Sequence, residues 1–269
     1  LKKMGVCVTG SDVEDNQILA GLRDLGVPIS IGHSKSHLEG CSVVVVSSAI
    51  PESNPEYLEA IRRGIPVLHR ADVLAELMRV RTGIAISGTH GKTTTSAMIA
   101  HVLLTSGIEA TFVVGAVIPS LQSNARYGSD SLMVCEADES DRSFLKIPAL
   151  CKVVTNIDLD HMDEYRDAAD LEDTFQAFLE STPSSGQIIA CKDDLRLERV
   201  MKKVHRPVVS YGLDRSADVS AVLTGKGGFR VQYDCYHLGR SIGSVDLGVP
   251  GCHNVLNSLA AVAVGLWLE

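Results

Sequence analysis

Aromatic side chains are scarce in this sequence: they make up 4% of its 269 residues, with a single tryptophan. Because hydrophobic residues still account for 45% of the chain, we expect cores of valine, isoleucine, leucine and alanine. The length suffices for two ordinary domains. No apolar run reaches the roughly 20 residues of a membrane span, the longest being 43–46 and 259–268. No secretory signal pattern is visible, so the sequence predicts a protein of the cytoplasm that binds no membrane.

Clustered cysteines and clustered basic residues are both missing. The seven cysteines lie far apart and form no CxxC pair, so neither a zinc site nor a disulfide framework is indicated. We expect them to be buried, reduced thiols, as in cytoplasmic proteins. The basic residues are scattered and the formal net charge is -8, which argues against a nucleic-acid partner. An anionic ligand would therefore have to be bound by local groups.

Strand and helix patterns alternate along the chain. Continuous apolar strands such as 41–50 and 83–87 predict a parallel sheet that is covered by helices on both faces. A new strand begins after a helical pattern at 70–80, which places a domain boundary near residue 80. We predict an α/β protein with a Rossmann-like domain over 1–80 and a P-loop-type, mostly parallel central sheet flanked by helices over 81–269.

The individual elements follow from apolar periodicity and from glycine and proline punctuation. Predicted helices lie at 17–25, 55–63, 70–80, 92–107, 169–181 and 254–269. Predicted strands lie near 29 and at 41–50, 65–70, 83–87, 109–117, 131–138, 151–158, 186–194, 206–212, 217–225 and 229–235.

The stretch ISGTHGKTTTSAM, residues 86–98, joins a strand to a helix through a glycine-bearing loop. This arrangement directs free backbone N–H groups and the positive end of a helix dipole at a phosphate. Lys92 would add a charge to the terminal phosphates, and Thr93 an oxygen ligand for Mg²⁺. The full P-loop pattern would place a glycine at position 86, where this chain has Ile86. We infer phosphate binding, and ATP rather than GTP because the NKxD motif of guanine readers is absent from the sequence.

Acidic residues follow two of the predicted strands. EADESD, residues 136–141, ends one strand, and DLDHMDEY, residues 158–165, follows the next one with His161 inside it. Ligands of open α/β sheets lie at the carboxyl ends of the strands, so Glu136 can face the glycine loop and hold Mg²⁺. Either stretch alone could be a solvated turn. Together they predict a metal-assisted phosphoryl reaction with more than one cation position.

Three further stretches carry polar side chains at element ends. GCHNVLNSLAA sets His253, Asn254 and Asn257 at the start of the last helix, where they could cap the helix or read a nucleobase. In the first domain, TGSD at 9–12 and VVSSAIPESNPEY at 45–57 follow strands. These loops suit a nucleotide sugar, although turn chemistry explains their composition equally well.

Four stretches together resemble the motifs of the Mur ligase family: GTHGKTTT, EADESD, NIDLDHMDEY and GCHNVLN, in this order and spacing. The resemblance covers essentially the whole chain. SSAI with NPE, HRADVLAELMR, EADESDRSFL and DHMDEY indicate the subgroup. That subgroup implies ATP-dependent ligation of L-alanine to the lactyl carboxylate of UDP-N-acetylmuramate through an acyl phosphate. The resemblance also leaves open a related ligase that recycles whole peptides. A module that binds ATP without catalysis is the alternative of a different class.

The resemblance implies a role for each matching residue. Lys92 would stabilise the β- and γ-phosphates, Thr93 and Glu136 would hold Mg²⁺, and His161 would bind or orient a second Mg²⁺. The expected ATP-binding residues are Gly88, Thr89, His90, Gly91, Lys92, Thr93, Thr94, His253, Asn254 and Asn257. The expected substrate-binding residues are Asp12, Ser47, Ser48, His90 and Asn124.

Three departures from the family pattern bear on these expectations. The glycine-rich opening loop and the third, C-terminal domain of such ligases have no counterpart in this sequence, so we expect a fragment. Alone, it should bind nucleotide and Mg²⁺ weakly and catalyse little or no ligation. Where relatives commonly read VxGG, this chain reads VVGAV, so Ala116 replaces a glycine and a substrate contact there is in doubt.

Overall fold

The structure is a computed structural model that describes residues 1–118, 123–227 and 229–269, and only the backbone of Lys226. The chain folds as two compact units, Leu1–Leu74 and Ala75–Glu269. The predicted division near residue 80 falls close to this point, and the functional assignment of the two ranges remains a prediction.

The first unit alternates short strands with helices, as predicted for a Rossmann-like region. Its strands are β1 (Gly10–Asp12), β2 (Ile29–Ile31), β3 (Val44–Val46) and β4 (Val67–His69). Its helices are α1 (Gln17–Asp24) and α2 (Pro55–Arg63), followed by α3 (Arg70–Arg79), which contains the division between the units. β1 pairs in parallel with β2, and β3 in parallel with β4.

One prediction for this unit, that the strand around β3 is buried, was wrong. The apolar run around β3 was expected to be a buried strand, yet Val43 and Val45 are 45% and 46% exposed. Among the described residues β3 has a single strand neighbour, β4, so the second edge of β3 is open. Side chains project from the faces of a sheet, so Val43 and Val45 lie where the described residues leave a face partly uncovered.

The second unit carries the main sheet and its covering helices. Its helices are α4 (Lys92–Thr105), α5 (Ala168–Glu180), α6 (Leu195–Lys203) and α7 (Cys252–Leu268). Its strands are β5 (Thr82–Ser87), β6 (Thr111–Ile118), β7 (Ser123–Arg126), β8 (Leu132–Glu136), β9 (Cys151–Val154), β10 (Gln187–Cys191), β11 (Val208–Gly212), β12 (Val219–Gly227), β13 (Arg230–His237) and β14 (Arg240–Leu247).

Within the described residues these ten strands form one sheet in the order β14-β13-β12-β11-β10-β9-β5-β8-β6-β7. The strands from β12 to β6 run parallel, and the hairpins at the two edges are antiparallel. Central strands such as β5 and β9 are buried on both faces, which is why most of their residues are apolar and why the one charged residue among them, Lys152, is also buried. The predicted fold class, a mostly parallel sheet flanked by helices, is confirmed.

The expected burial of the cysteines holds for four that lie in this sheet and is wrong for Cys7, which is exposed. Cys135, Cys151, Cys191 and Cys235 lie in strands and are at most 2% exposed. Burial raises the pKa of the Cys191 thiol to about 12, so the thiolate that would react or bind metal is suppressed. In the part of the chain that the structure describes, no helix combines the length and hydropathy of a membrane span.

Candidate nucleotide site

The loop between β5 and α4 is a turn of four residues, 88–91, that two glycines make possible. Gly88 has φ of +123° and Gly91 has φ of +82°, both values that side chains disfavour. A Cβ atom at Gly88 would lie 2.2 Å from the Thr155 hydroxyl, and one at Gly91 would lie 2.6 Å from Asn257 Oδ1. Because β5 extends to Ser87, position 86 is inside the strand, which explains why Ile86 stands there instead of a glycine.

Residues at the end of β9 fix the conformation of this loop. The Asn156 amide accepts from the His90 N–H at 2.8 Å and donates to the His90 carbonyl at 2.8 Å. The Thr155 hydroxyl donates to the same carbonyl at 2.6 Å. On the other side, Gly91 is the N-cap of α4 and offers no side-chain acceptor to the helix. The first N–H groups of α4 therefore have no side-chain cap, as an anion site at a helix N-terminus requires.

Lys92, the first residue of α4, is folded back over the loop. Its ammonium donates to the carbonyl oxygens of Gly88 and Thr89 at 2.9 and 3.4 Å and to Glu139 Oε1 at 2.9 Å. The Lys92 side chain is 14% exposed and that of Glu139 only 2%. Burial raises the pKa of Glu139 above its ordinary value, although the neighbouring ammonium acts in the opposite direction.

Thr93 and Glu136 meet across neighbouring strand ends. The Thr93 hydroxyl donates to the two carboxylate oxygens of Glu136 at 3.1 and 3.0 Å. Glu136, the last residue of β8, also accepts from the Gly115 N–H at 2.7 Å. A hydroxyl and a carboxylate are the hard oxygen ligands that Mg²⁺ prefers, so this pair fits the metal by its chemistry.

His161 is not brought into that pair. It lies in the loop after β9 with φ of +53°, and its side chain is 44% exposed. The carboxylate nearest to its ring is that of Asp160, with 3.9 Å between His161 Nε2 and Asp160 Oδ2. Across the described ranges, no three side chains of the types His, Cys, Asp and Glu form a group that could hold a metal ion. The second cation position at His161 therefore remains a prediction.

The start of α7 packs against the glycine loop. Asn257, 7% exposed, accepts from the Thr95 hydroxyl at 3.1 Å and donates to Asn254 at 3.2 Å. Asn254 in turn donates to the Pro250 carbonyl at 2.7 Å. The exposed His253 ring lies over Gly251, where a Cβ atom would be 2.5 Å from it. The structure thus brings this predicted segment to the loop.

The remaining predicted residues occupy strand ends and surfaces. Asp12 ends β1 and Ser47 and Ser48 follow β3, so all three lie at the carboxyl ends of parallel pairs in the first unit. Thr94 and His90 are exposed beside Lys92, and the His90 ring lies 3.5 Å from Asp158. Asn124 is half-buried in β7. Their contacts with a substrate remain predictions.

Two residues of the site were missed at the level of sequence. Tyr165 is 2% exposed and donates from its hydroxyl to the Glu139 carbonyl at 2.5 Å, which fastens the loop of His161 to the acidic loop. Gly115 is needed because a Cβ atom there would lie 2.9 Å from the Glu136 oxygens. The glycine of VVGAV was a signal for the second, and the Ala116 that follows it is exposed.

The fold and the site define a class: an α/β protein with a P-loop-type glycine turn, a lysine and a threonine at the carboxyl end of a central strand. Family models match on both sides of the predicted boundary. "Mur ligase family, catalytic domain" matches residues 1–82, and "Mur ligase middle domain" matches residues 86–265. The chain belongs to the Mur ligase family.

Individual relatives agree with this membership. The UDP-N-acetylmuramate-L-alanine ligase of Acidobacterium capsulatum is 47% identical over 267 residues, which cover 99% of this chain and 58% of that protein. The structure of the UDP-N-acetylmuramate-alanine ligase MurC from Thermotoga maritima has a TM-score of 0.87 at 27% identity, covering 99% of this chain and 60% of that one.

A ligase of the other subgroup is also similar. A murein peptide ligase from Psychrobacter arcticus has a TM-score of 0.85 at 25% identity and covers 100% of this chain and 61% of that one. The chain spans less than two thirds of the length of each of these three relatives.

Proposed function

We propose that this chain carries the ATP-binding part of a ligase that joins L-alanine to the lactyl carboxylate of UDP-N-acetylmuramate. The 47% identity to a relative of that name supports the choice of substrates. The contact between Thr93 and Glu136, at 3.0 Å beside the uncapped start of α4, is the single observation that carries the nucleotide site. Such a protein works in the cytoplasm, where ATP and reduced thiols are found together.

In this proposal the chain's own residues bind and orient the triphosphate. The N–H groups at the start of α4 and the Lys92 ammonium bind the β- and γ-phosphates. Thr93 and Glu136 are the residues that would hold Mg²⁺, which when bound neutralises the charge that develops on the phosphates. His253, Asn254 and Asn257 contact the adenine, and His161 would hold or orient a second Mg²⁺, which would neutralise charge near the acceptor carboxylate.

The reaction activates a carboxylate that an amine cannot otherwise convert into an amide, because oxide and hydroxide are poor leaving groups. An oxygen of the lactyl carboxylate attacks the γ-phosphorus, and the bond from that phosphorus to the bridging oxygen breaks to release ADP. The amine of L-alanine then attacks the acyl carbon, loses its proton, and phosphate leaves with the electrons of the acyl C–O bond. Asp12, Ser47 and Ser48 contact the uridine end, and His90 and Asn124 the muramate end.

The test is a substrate panel on the complete protein that contains these residues. UDP-N-acetylmuramate, ATP and Mg²⁺ are supplied with single amino acids or with a tripeptide, and phosphate release is measured. Fastest release with L-alanine supports the proposal. A preference for the tripeptide would indicate the peptide-recycling ligase. ATP binding without release for any acceptor would indicate a nucleotide-binding module without catalysis.

A further inference from the structure

In the acidic stretch EADESD one carboxylate, that of Glu139, is buried although it is not an expected ligand of Mg²⁺. Glu139 is 2% exposed, whereas its neighbour Asp138 caps a local turn by accepting from the Ser140 N–H at 3.2 Å. Enclosing a carboxylate is costly unless it is paired, and here the pairing partner is the Lys92 ammonium at 2.9 Å. The pair links the acidic loop to the first residue of α4.

The pairing uses only half of the carboxylate. Oε1 accepts from Lys92, while Oε2 is buried without a hydrogen-bond partner among the described residues. Leaving a buried acceptor unpartnered is unfavourable, and an ion pair with only a structural role would avoid this by using both oxygens. The carboxylate is therefore oriented towards Lys92, although this orientation leaves its second oxygen without a hydrogen bond.

The backbone of Glu139 is fixed from the opposite side. Its carbonyl accepts from the Tyr165 hydroxyl at 2.5 Å and from the Arg142 N–H at 3.1 Å. Tyr165 belongs to the loop that carries His161 and is itself 2% exposed. Glu139 is thus held rigidly enough to set the position of a flexible lysine side chain, whose four-carbon stem otherwise samples many rotamers.

We propose that Glu139 is a positioning residue that holds the Lys92 ammonium over the glycine loop, so that the charge is already in place for the terminal phosphates of a nucleoside triphosphate. The inference rests on the proposed nucleotide binding and deepens it. Pre-organisation of this kind lowers the rotamer entropy that Lys92 loses when the phosphates bind. It acts on affinity for the β- and γ-phosphates and leaves contacts to the nucleoside unchanged.

The test compares ATP with AMP on four proteins: the parent chain, Glu139→Gln, Lys92→Met and the double variant. Dissociation constants are measured with Mg²⁺ present. Glu139→Gln keeps the shape but removes the charge, so ATP should bind about tenfold more weakly while AMP binds as before. In the Lys92→Met background the second change should have no further effect, because Glu139 acts through Lys92.

The matched control is Glu164→Gln, which changes an exposed carboxylate in the loop of Tyr165. Its dissociation constants for ATP and AMP should equal those of the parent. Unchanged ATP affinity in Glu139→Gln, equal losses for ATP and AMP, or additive losses in the double variant would each overturn the inference. Failure of the parent to bind ATP would overturn the proposed function itself, and the inference with it. If Glu139→Gln does not fold, Glu139→Asp replaces it, with a smaller loss confined to ATP expected.

Discussion

Thr93 and Glu136 are 43 residues apart in the chain, yet the Thr93 hydroxyl lies 3.0 Å from the Glu136 carboxylate. The sheet order produces this contact, because β5, which leads to Thr93, lies beside β8, which ends at Glu136. One oxygen ligand thus comes from the helix that begins the phosphate site and the other from the neighbouring strand end.

The first prediction concerns Gly115, which supports Glu136 from β6. In Gly115→Ala the new methyl group would lie 2.9 Å from the Glu136 oxygens, so the carboxylate must shift from the position in which it contacts Thr93. We expect the Mg²⁺-dependent part of ATP affinity, measured by calorimetric titration, to fall about tenfold. Gly265→Ala in α7, with nothing within 4 Å, is the control and should keep full affinity. Equal affinities in both variants would argue against the role of Gly115.

The second prediction concerns the hydrogen bond between Thr95 and Asn257. Asn257→Ala leaves the fully buried Thr95 hydroxyl without its acceptor, which should lower the free energy of unfolding by about 1–3 kcal/mol. Adding Thr95→Val removes the stranded donor and should recover part of that loss. Denaturant unfolding of the two single variants and the double variant measures the coupling. Strictly additive losses would show that the two side chains do not depend on each other.

The third prediction concerns Lys152, a lysine of β9 with 0% exposure. Its ammonium donates to the Phe178 carbonyl and the Ser181 hydroxyl, and burial lowers its pKa from 10.5 to about 8. Between these two pH values the unfolded chain binds a proton that the folded chain does not. The free energy of unfolding therefore rises by about 3 kcal/mol in total as pH rises through that window, because the cost of burying the Lys152 charge is removed, and this residue contributes no pH dependence below the window.

Other groups titrate in the same window, so the measurement is a difference between proteins. The free energy of unfolding is followed against pH for the parent, for Lys152→Met and for Lys202→Met, whose side chain is 69% exposed. The gap between the parent and Lys152→Met should change by about 3 kcal/mol across the window, in favour of the parent at high pH. Parallel curves for these two proteins would refute the assignment.

The sequence predicted best where local signals and tertiary packing agree. The continuously apolar β5, the glycine turn and the start of α4 were all expected, because strand burial and loop geometry there leave few alternatives. By contrast α6 was missed: LRLERVMKK is mostly charged, and only Leu197 and Val200 are buried beneath it. β14 was missed because nearly all of it is exposed, so no alternation marks its sequence.

The contacts of the site were also predicted unevenly from the sequence. Thr93 and Glu136 were expected together, because an acid at the carboxyl end of a parallel strand can face the glycine loop and because the family resemblance implies a shared Mg²⁺. The pairing of Glu139 with Lys92 was not foreseen, since nothing in EADESD distinguishes a buried acid from an exposed one. The backbone carbonyl of Glu139 is bound by the hydroxyl of Tyr165, which is 26 residues away and which no local pattern links to the acidic stretch.

The account depends most on the claim that Thr93 and Glu136 together hold the Mg²⁺ of a bound nucleotide. Its most direct test is calorimetric titration of ATP into the 269-residue chain with and without Mg²⁺, beside Thr93→Val and Glu136→Gln. Thr105→Val, at the exposed end of the same helix, is the matched control. We predict that Mg²⁺ strengthens ATP binding in the parent and the control. In each site variant the increase in ATP affinity caused by Mg²⁺ should be about tenfold smaller. ATP affinity that responds to Mg²⁺ equally in all four proteins would contradict the claim.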